Sequence, residues 1–280
     1  MAGTLYVVAT PIGNLEDITL RALRVLREVD LIVGEDSRHT RKLLSHYHIS
    51  TKFAPSLYQG AAKGRVEGLL RLLREGKDLA LVSDAGTPLI SDPGYPLVRA
   101  AVEAGIPVVP IPGASALLAA LVASGLPPDR FLFLGYLPRR PGPRRRALEE
   151  ALACPYTVVA YESPHRILAT LEELAELAPG RELVLARELT KVHEEFIRGT
   201  AQEVLAEAER REGLRGELVL VIGPAPSEKP GPTDPRAVKA RYEELLAAGR
   251  SPRDALRITS EEYGIPRRKA YRIVHGLAEG

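Results

Sequence analysis

The chain has 280 residues, 45% hydrophobic and 26% charged, more than one average domain needs and enough to bury a sizeable core without staples. Its single cysteine, Cys154, excludes an internal disulfide and any Cys-x-x-Cys metal or redox motif. A net charge of +2 excludes a uniformly basic nucleic-acid binder, yet residues 236–280 hold ten Lys/Arg against six Asp/Glu, and residues 139–146 read RRPGPRRR.

Taken in chain order, short apolar runs alternate with helical periodicity, which predicts a parallel α/β architecture. Strands are expected at 5–9, 31–34, 79–83 and 108–111, then at 131–134, 157–161, 183–186 and 217–222. Helices are expected at 20–27, 65–74, 96–104, 116–123, 146–153 and 167–177. Gly125-Leu126-Pro127-Pro128 reads as a hinge, so the expected domains are 1–127 and 128–223. Five prolines between 224 and 235 predict a stiff linker. The tail, 236–280, reads as three short helices. The first is ended by Gly249, and the second is capped by Ser251 with Pro252 at its first position and Asp254 completing a capping-box-like spacing. The third starts at Pro266 and is basic, so the last two resemble a helix-turn-helix.

Residues 1–17 carry no basic residue ahead of an apolar run, so no secretory signal is expected. The most apolar stretch, 114–126, is short of the ~20 residues that cross a bilayer. A cytoplasmic location without a membrane partner is the expectation. The chain contains no GxGxxG, GxxxxGK[ST], HExxH or GxSxG, and its six histidines are scattered, so no metal is expected.

Three loops have the make-up of a small-molecule cleft, each following an expected strand: Thr10-Pro11-Ile12-Gly13-Asn14-Leu15, the run from Ser83 to Gly94 (SDAGTPLISDPG), and Pro112-Gly113-Ala114-Ser115-Ala116. Open α/β sheets bind ligands at the carboxyl ends of their strands. Glycine lets backbone approach a ligand closely, and proline stiffens the loop.

ATPIGNLEDIT (9–19), GEDSRHTRKLL (34–44), LVSDAGTPLISDPGYPLV (81–98), IPGASA (111–116), ESPHR (162–166) and ARELTKVHEE (186–195) together resemble the ribosomal RNA small subunit methyltransferase I family, within the tetrapyrrole (corrin/porphyrin) methylase superfamily. The resemblance runs in order from residue 4 to about 223, and the tail resembles that family's C-terminal extension. Ser37 stands where the family pattern has Thr, and Ala114-Ser115 stands where PGPS is commoner. The resemblance implies two α/β domains of the tetrapyrrole methylase type with a small helix-turn-helix-like extension, a homodimer, and S-adenosylmethionine held between the domains. It implies 2′-O-methylation of a cytidine in 16S ribosomal RNA, free or in the small subunit. Carried over position by position, Pro11, Asp84, Gly86, Thr87, Ser115 and Ala116 would line the cofactor from the first domain, and Tyr161, Glu162 and Ala186 from the second.

A ribose hydroxyl is a poor nucleophile, so alignment supplies much of the acceleration and a base or a cation part of the rest. Candidates are Glu35, Asp36, Arg38, Glu162, His165, Arg166, Lys191 and Glu194. Each has a bland alternative. Glu35, Asp36 and Arg38 pair with one another, His165 and Arg166 cap a helix or bind phosphate, or Lys191 and Glu194 form a surface pair. The sequence selects none as the base. For RNA phosphates the candidates are Arg267, Arg268, Lys269 and Arg272 in the tail, with Arg139, Arg140, Arg144 and Arg145 in RRPGPRRR, expected to be an exposed, mobile loop. A tetrapyrrole C-methyltransferase and a non-catalytic RNA binder are the alternative readings. Two basic segments speak against the first and an intact cofactor cleft against the second.

Overall fold

The structure, a computed structural model, describes residues 2–57, 63–211, 214–226 and 234–276, with only the backbone of residue 63. Most of the expected proline linker lies outside the described residues. Residues 1–225 form one compact unit and 226–280 a second.

The first half of the larger unit is a five-stranded sheet in the order β3-β2-β4-β1-β5, with every pair parallel. Its strands are β1 (Leu5–Val8), β2 (Leu31–Val33), β3 (Lys52–Phe53), β4 (Leu79–Val82) and β5 (Val108–Ile111). β4 is buried at all four positions because helices cover both faces. α1 (Leu20–Glu28), α2 (Ser37–His46), α3 (Lys63–Arg74), α4 (Tyr95–Glu103) and α5 (Ala116–Ser124) complete this half. Local chemistry sets their starts: Thr19 caps α1 through Ala22 N, and Asp36 caps α2 through Arg38 N. β3 and α2 were not anticipated. β3 is two residues long, and α2 lies inside a segment read for its charges.

The second sheet corrects the parallel expectation. Its order is β6-β7-β10-β8-β9, built from β6 (Phe131–Tyr136), β7 (Thr157–Glu162), β8 (Glu182–Arg187), β9 (Glu195–Thr200) and β10 (Leu218–Ile222), and only β6–β7 is parallel. β8 and β9 are joined by residues 188–194, too short for the crossover that parallel strands need, so they form an antiparallel hairpin. Glu188 and Thr190 take φ of 50° and 67° to make that turn. α6 (Pro141–Ala153), α7 (Ile167–Leu177) and α8 (Ala201–Arg210) pack on one face of the sheet around Leu148, Leu171 and Val204.

α5 is apolar all round and joins the halves. Ala120 and Leu121 pack with Val159, Val184 and Val221 of the second sheet, and Ile12 joins this cluster from the first half. That packing sets the strand ends of the two sheets beside each other. Leu118 and Val122 of α5 stay exposed, as do Phe131 and Leu132 on the edge strand β6.

RRPGPRRR is not a loop. α6 begins at Pro141, because proline at the first helical position lacks only an N–H that would be orphaned there anyway. Arg144 is 5% exposed and forms a two-pronged pair with Glu173 of α7, Nη2 to Oε1 at 2.7 Å and Nε to Oε2 at 3.2 Å. Arg145 pairs with Glu176 and Glu149. Arg139 and Arg140 are exposed ahead of the helix.

The smaller unit is α9 (Pro235–Ala247), α10 (Pro252–Glu262) and α11 (Arg267–Val274) around Val238, Tyr242, Ala255, Ala270 and Val274. Ser251 caps α10 by accepting from Asp254 N. Arg267, Arg268 and Lys269 are exposed at the start of α11, whereas Arg272 is half-buried. No helix among the described residues is long and apolar enough to cross a membrane.

Candidate active site

Three strand-end loops of the first sheet are tied into one rigid cradle. Thr10 and Gly86 exchange backbone hydrogen bonds, N to O at 2.9 and 3.0 Å, and the Thr10 hydroxyl donates to Ser83 O at 3.1 Å. Thr87 Oγ1 donates to Ala114 O at 3.2 Å, joining the second loop to the third, where Ser115 caps α5. Gly86 sits at φ +81°, which side-chain-bearing residues rarely adopt. Further along, Leu89 and Ser91 take φ of 73° and 68° without being glycine. Such backbone persists only where its surroundings hold it.

The cradle faces the second sheet across a cleft of about 470 Å³. From the first half the lining comprises Ile12, Glu35, residues 84–87, residues 90–92, Ser115 and Ala116. From the second it comprises Tyr136, residues 161–164 and residues 216–219. Tyr136 and Tyr161 stack edge to face with centroids 5.4 Å apart. At the side, Gly13 lies against the β8–β9 turn, since a side chain there would fall within 2.5 Å of Lys191 Cγ.

Of the residues expected at the cofactor, Asp84, Gly86, Thr87, Ser115, Ala116, Tyr161 and Glu162 line this cleft. Pro11 does not, although Ile12 beside it does. Ala186 is fully buried and does not line the cleft, although it pairs in register with the lining residue Val219.

The catalytic candidates scatter. Glu35 lines the cleft, and burial followed by the charges of Asp84 and Asp36 raises its pKa. Arg38 points its bonds at Asp36, whose carboxyl it pulls down to about 2 through side-chain and backbone hydrogen bonds. Glu162 contributes to the wall, but its carboxylate is engaged: it accepts from Ser163 N at 2.6 Å and Thr170 Oγ1 at 2.8 Å and pairs with Arg166 Nη2 at 2.5 Å. Nε and Nη1 of Arg166 are buried without a partner among the described residues. His165 is exposed and outside the lining. Lys191 pairs with Glu188 at 2.9 Å and Glu217 at 3.2 Å; burial lowers its pKa, but those acids outweigh it and the net shift is upward. Lys191 is therefore a cation at neutral pH and unsuited to act as a base. Glu194 accepts from Thr190 N within its own turn.

Asp92, Tyr136, Gly216 and Glu217 also line the cleft, and sequence reasoning singled out none of them. Asp92 carried a signal, a second Ser-Asp pair in the loop that opens with Ser83-Asp84. Burial, then the charge of Glu35, pushes its carboxyl up to about 6, against a hydrogen bond from Ser83.

Residues 4–205 match the model of the Tetrapyrrole (Corrin/Porphyrin) Methylases. A protein of Halalkalibacterium halodurans named ribosomal RNA small subunit methyltransferase I is 44% identical over 98% of this chain and 95% of its own length. A Synechocystis protein of the same name is 47% identical over 97% of each chain. In fold, the chain is similar to uroporphyrin-III C-methyltransferase from Thermus thermophilus complexed with S-adenosyl homocysteine, with a TM-score of 0.56 and 23% identity over 79% of this chain and 97% of that one.

Proposed function

The chain belongs to the tetrapyrrole (corrin/porphyrin) methylases and, within them, to the ribosomal RNA small subunit methyltransferase I family, and from that premise we propose that it methylates the ribose 2′-hydroxyl of a cytidine in 16S ribosomal RNA. It is a methyltransferase, and its methyl donor is S-adenosylmethionine.

The observation that carries the site assignment is the cleft itself, which brings the three loops onto one volume. That volume falls within the usual ~300–1,000 Å³ range of small-molecule sites. The residues present fit the donor. Glu35, Asp84, Asp92, Glu162 and Glu217 put five carboxylates on the lining, which favours a cation. Gly86 admits close backbone approach, and the Tyr136–Tyr161 pair offers an aromatic wall that tolerates a sulfonium. When bound, the donor supplies an electrophilic methyl group. The chain's own work is to hold that group and the hydroxyl in line, and the hydrogen bonds that tie the loops together give it a cradle for doing so. Asp84, Gly86, Thr87, Ser115, Ala116 and Tyr161 form the cradle in this reading.

Arg139 and Arg140, with Arg267, Arg268 and Lys269, are exposed and suited to RNA phosphates, because the guanidinium fork matches phosphate geometry. The exposed apolar side chains Leu118, Val122, Phe131 and Leu132 support a homodimer, since such residues at an edge strand and a half-covered helix gain by burial against a second copy. A ribosomal substrate implies work in the cytoplasm. The test is incubation of the protein and S-adenosylmethionine with small ribosomal subunits, with free 16S RNA and with uroporphyrinogen, followed by mapping of the methyl group. A 2′-O-methylcytidine in the RNA is expected. Methyl transfer to a base, or to the tetrapyrrole alone, refutes the assignment.

A further inference from the structure

Among the carboxylates on the lining, most are committed. Glu162 is saturated by Ser163, Thr170 and Arg166. Asp84 accepts from Asp36 N at 3.2 Å and lies 3.4 Å from His39 Nδ1. Glu217 pairs with Lys191. Asp92, which takes a hydrogen bond from the Ser83 hydroxyl, and Glu35 remain without an ion-pair partner among the described residues, and their positions differ. Asp92 sits between two constrained backbones, Ser91 at φ 68° and Gly94 at φ 130°. Its loop reaches across to the second sheet, where a side chain on Gly135 would come within 3.3 Å of Ser91 Oγ. The charge of Asp92 acts on the phenols of Tyr136 and Tyr161 on that opposite wall, while Glu35 acts on Asp92 from the first-sheet side.

We propose that Asp92 is the general base of the methyl transfer. Its carboxylate takes the proton of the ribose hydroxyl as that oxygen bonds to the methyl carbon and the carbon–sulfur bond breaks. The products are a methyl ether, a neutral thioether and a protonated Asp92, so charge and atoms balance. The proposal rests on the reading that the acceptor is a ribose hydroxyl.

The physical argument is that a base works best when its pKa lies near the operating pH, ionised yet still proton-hungry. The groups facing Asp92 set that balance. Glu35 and Asp84 push its carboxyl up from the first sheet, the Ser83 hydroxyl holds it down, and Tyr136 and Tyr161 face it from β6 and β7. Glu162, with Arg166, and Glu217 complete the charged groups of the second wall. With its carboxyl at about 6, Asp92 is mostly ionised at neutral pH.

The experiment compares wild type, Asp92→Asn and Glu35→Gln in single-turnover transfer to small ribosomal subunits from pH 5 to 9. Donor affinity is measured by calorimetry, and the carboxyls of the chain without donor are titrated by carbon-13 NMR. Wild type should show a rate that rises with pH and, without donor, one carboxyl titrating near 6. At saturating donor, Asp92→Asn should lose about 10²- to 10⁴-fold in rate, the ordinary span of general-base catalysis, and lose that resonance. Glu35→Gln should move both midpoints to lower pH, because a charge that raises Asp92 is gone. That second variant decides the matter even if Asp92→Asn folds poorly. An Asp92→Asn enzyme with the wild-type profile overturns the proposal, as does a Glu35→Gln enzyme whose midpoints stay at the wild-type pH, or an Asp92 that titrates like an ordinary carboxylate. A wild-type product methylated on a base overturns the acceptor reading and this proposal together. A ribose-methylated product with an unaltered Asp92→Asn profile overturns the base alone.

Discussion

Replacing Arg144 by Ala removes one partner of a pair whose side chains are 6% and 17% exposed, and leaves the Glu173 carboxylate facing the α6–α7 contact alone. Breaking a buried pair from one side costs about 3–5 kcal/mol, because the surviving charge keeps its desolvation penalty. Glu173 retains some water access, so the lower end, about 3 kcal/mol, is the expected loss. In a domain of this size each kcal/mol moves Tm by roughly 2–4 °C, so the melt should fall by roughly 6–12 °C. Donor binding should survive, as Arg144 does not line the cleft. Arg144→Met combined with Glu173→Leu should recover most of the loss, since a packed apolar pair of similar volume replaces the ionic one at little cost. The assay is thermal and urea denaturation of the three variants, with filter binding to 16S RNA alongside. If Arg144→Ala lowers Tm by less than about 2 °C and instead weakens RNA binding, the pair is not structural and the arginine belongs to the RNA surface.

Deleting residues 226–280 should flatten the dependence of RNA affinity on salt, by about 0.7–0.9 in log–log slope for each phosphate the tail had neutralised, and leave donor affinity unchanged; an unaltered slope removes the tail from the RNA surface. Asp84→Ala should weaken S-adenosylmethionine binding about tenfold, roughly 1.4 kcal/mol by calorimetry, in a protein that still melts cooperatively; equal affinity would take that loop out of the site. Asp92 also makes a stability prediction. Its folded pKa, about 6, lies above the ordinary aspartate value of 3.8, so its ionisation weighs against folding. The stability it contributes is complete below about pH 3.8 and is lost as pH rises through 6. Asp92→Asn should thus stabilise the fold at pH 8 by about 1–2 kcal/mol, after allowance for partial exposure, and bring no gain near pH 4; a destabilised variant at pH 8 would contradict the burial assigned to this carboxyl.

Much of the fold was legible because its determinants are local. The strands of the first sheet are continuous apolar runs, as burial on both faces requires, and Ser115 and Ser251 announce the helices they cap. β9 was missed for the same kind of reason. Its sequence, EFIRGT, has one buried position, so it lacks the apolar signature of its neighbours and is held by pairing with β8. The antiparallel turn of the second sheet follows from a connection length that is visible only once both strands are recognised.

What the sequence determined by itself was chemistry carried in contiguous residues: the glycine and proline loops, the family motifs, the caps and the basic tail. What only the tertiary structure decided was which charges are free. RRPGPRRR looks like an anion clamp until Glu173 and Glu176, about thirty residues further on, are set against it. The acids and bases in the motifs look equally catalytic until Ser163, Thr170, Arg166 and Lys191 claim their partners. A carboxylate's reactivity depends on the groups within a few ångströms of it and on its access to water, and those are fixed by contacts between residues far apart in the chain.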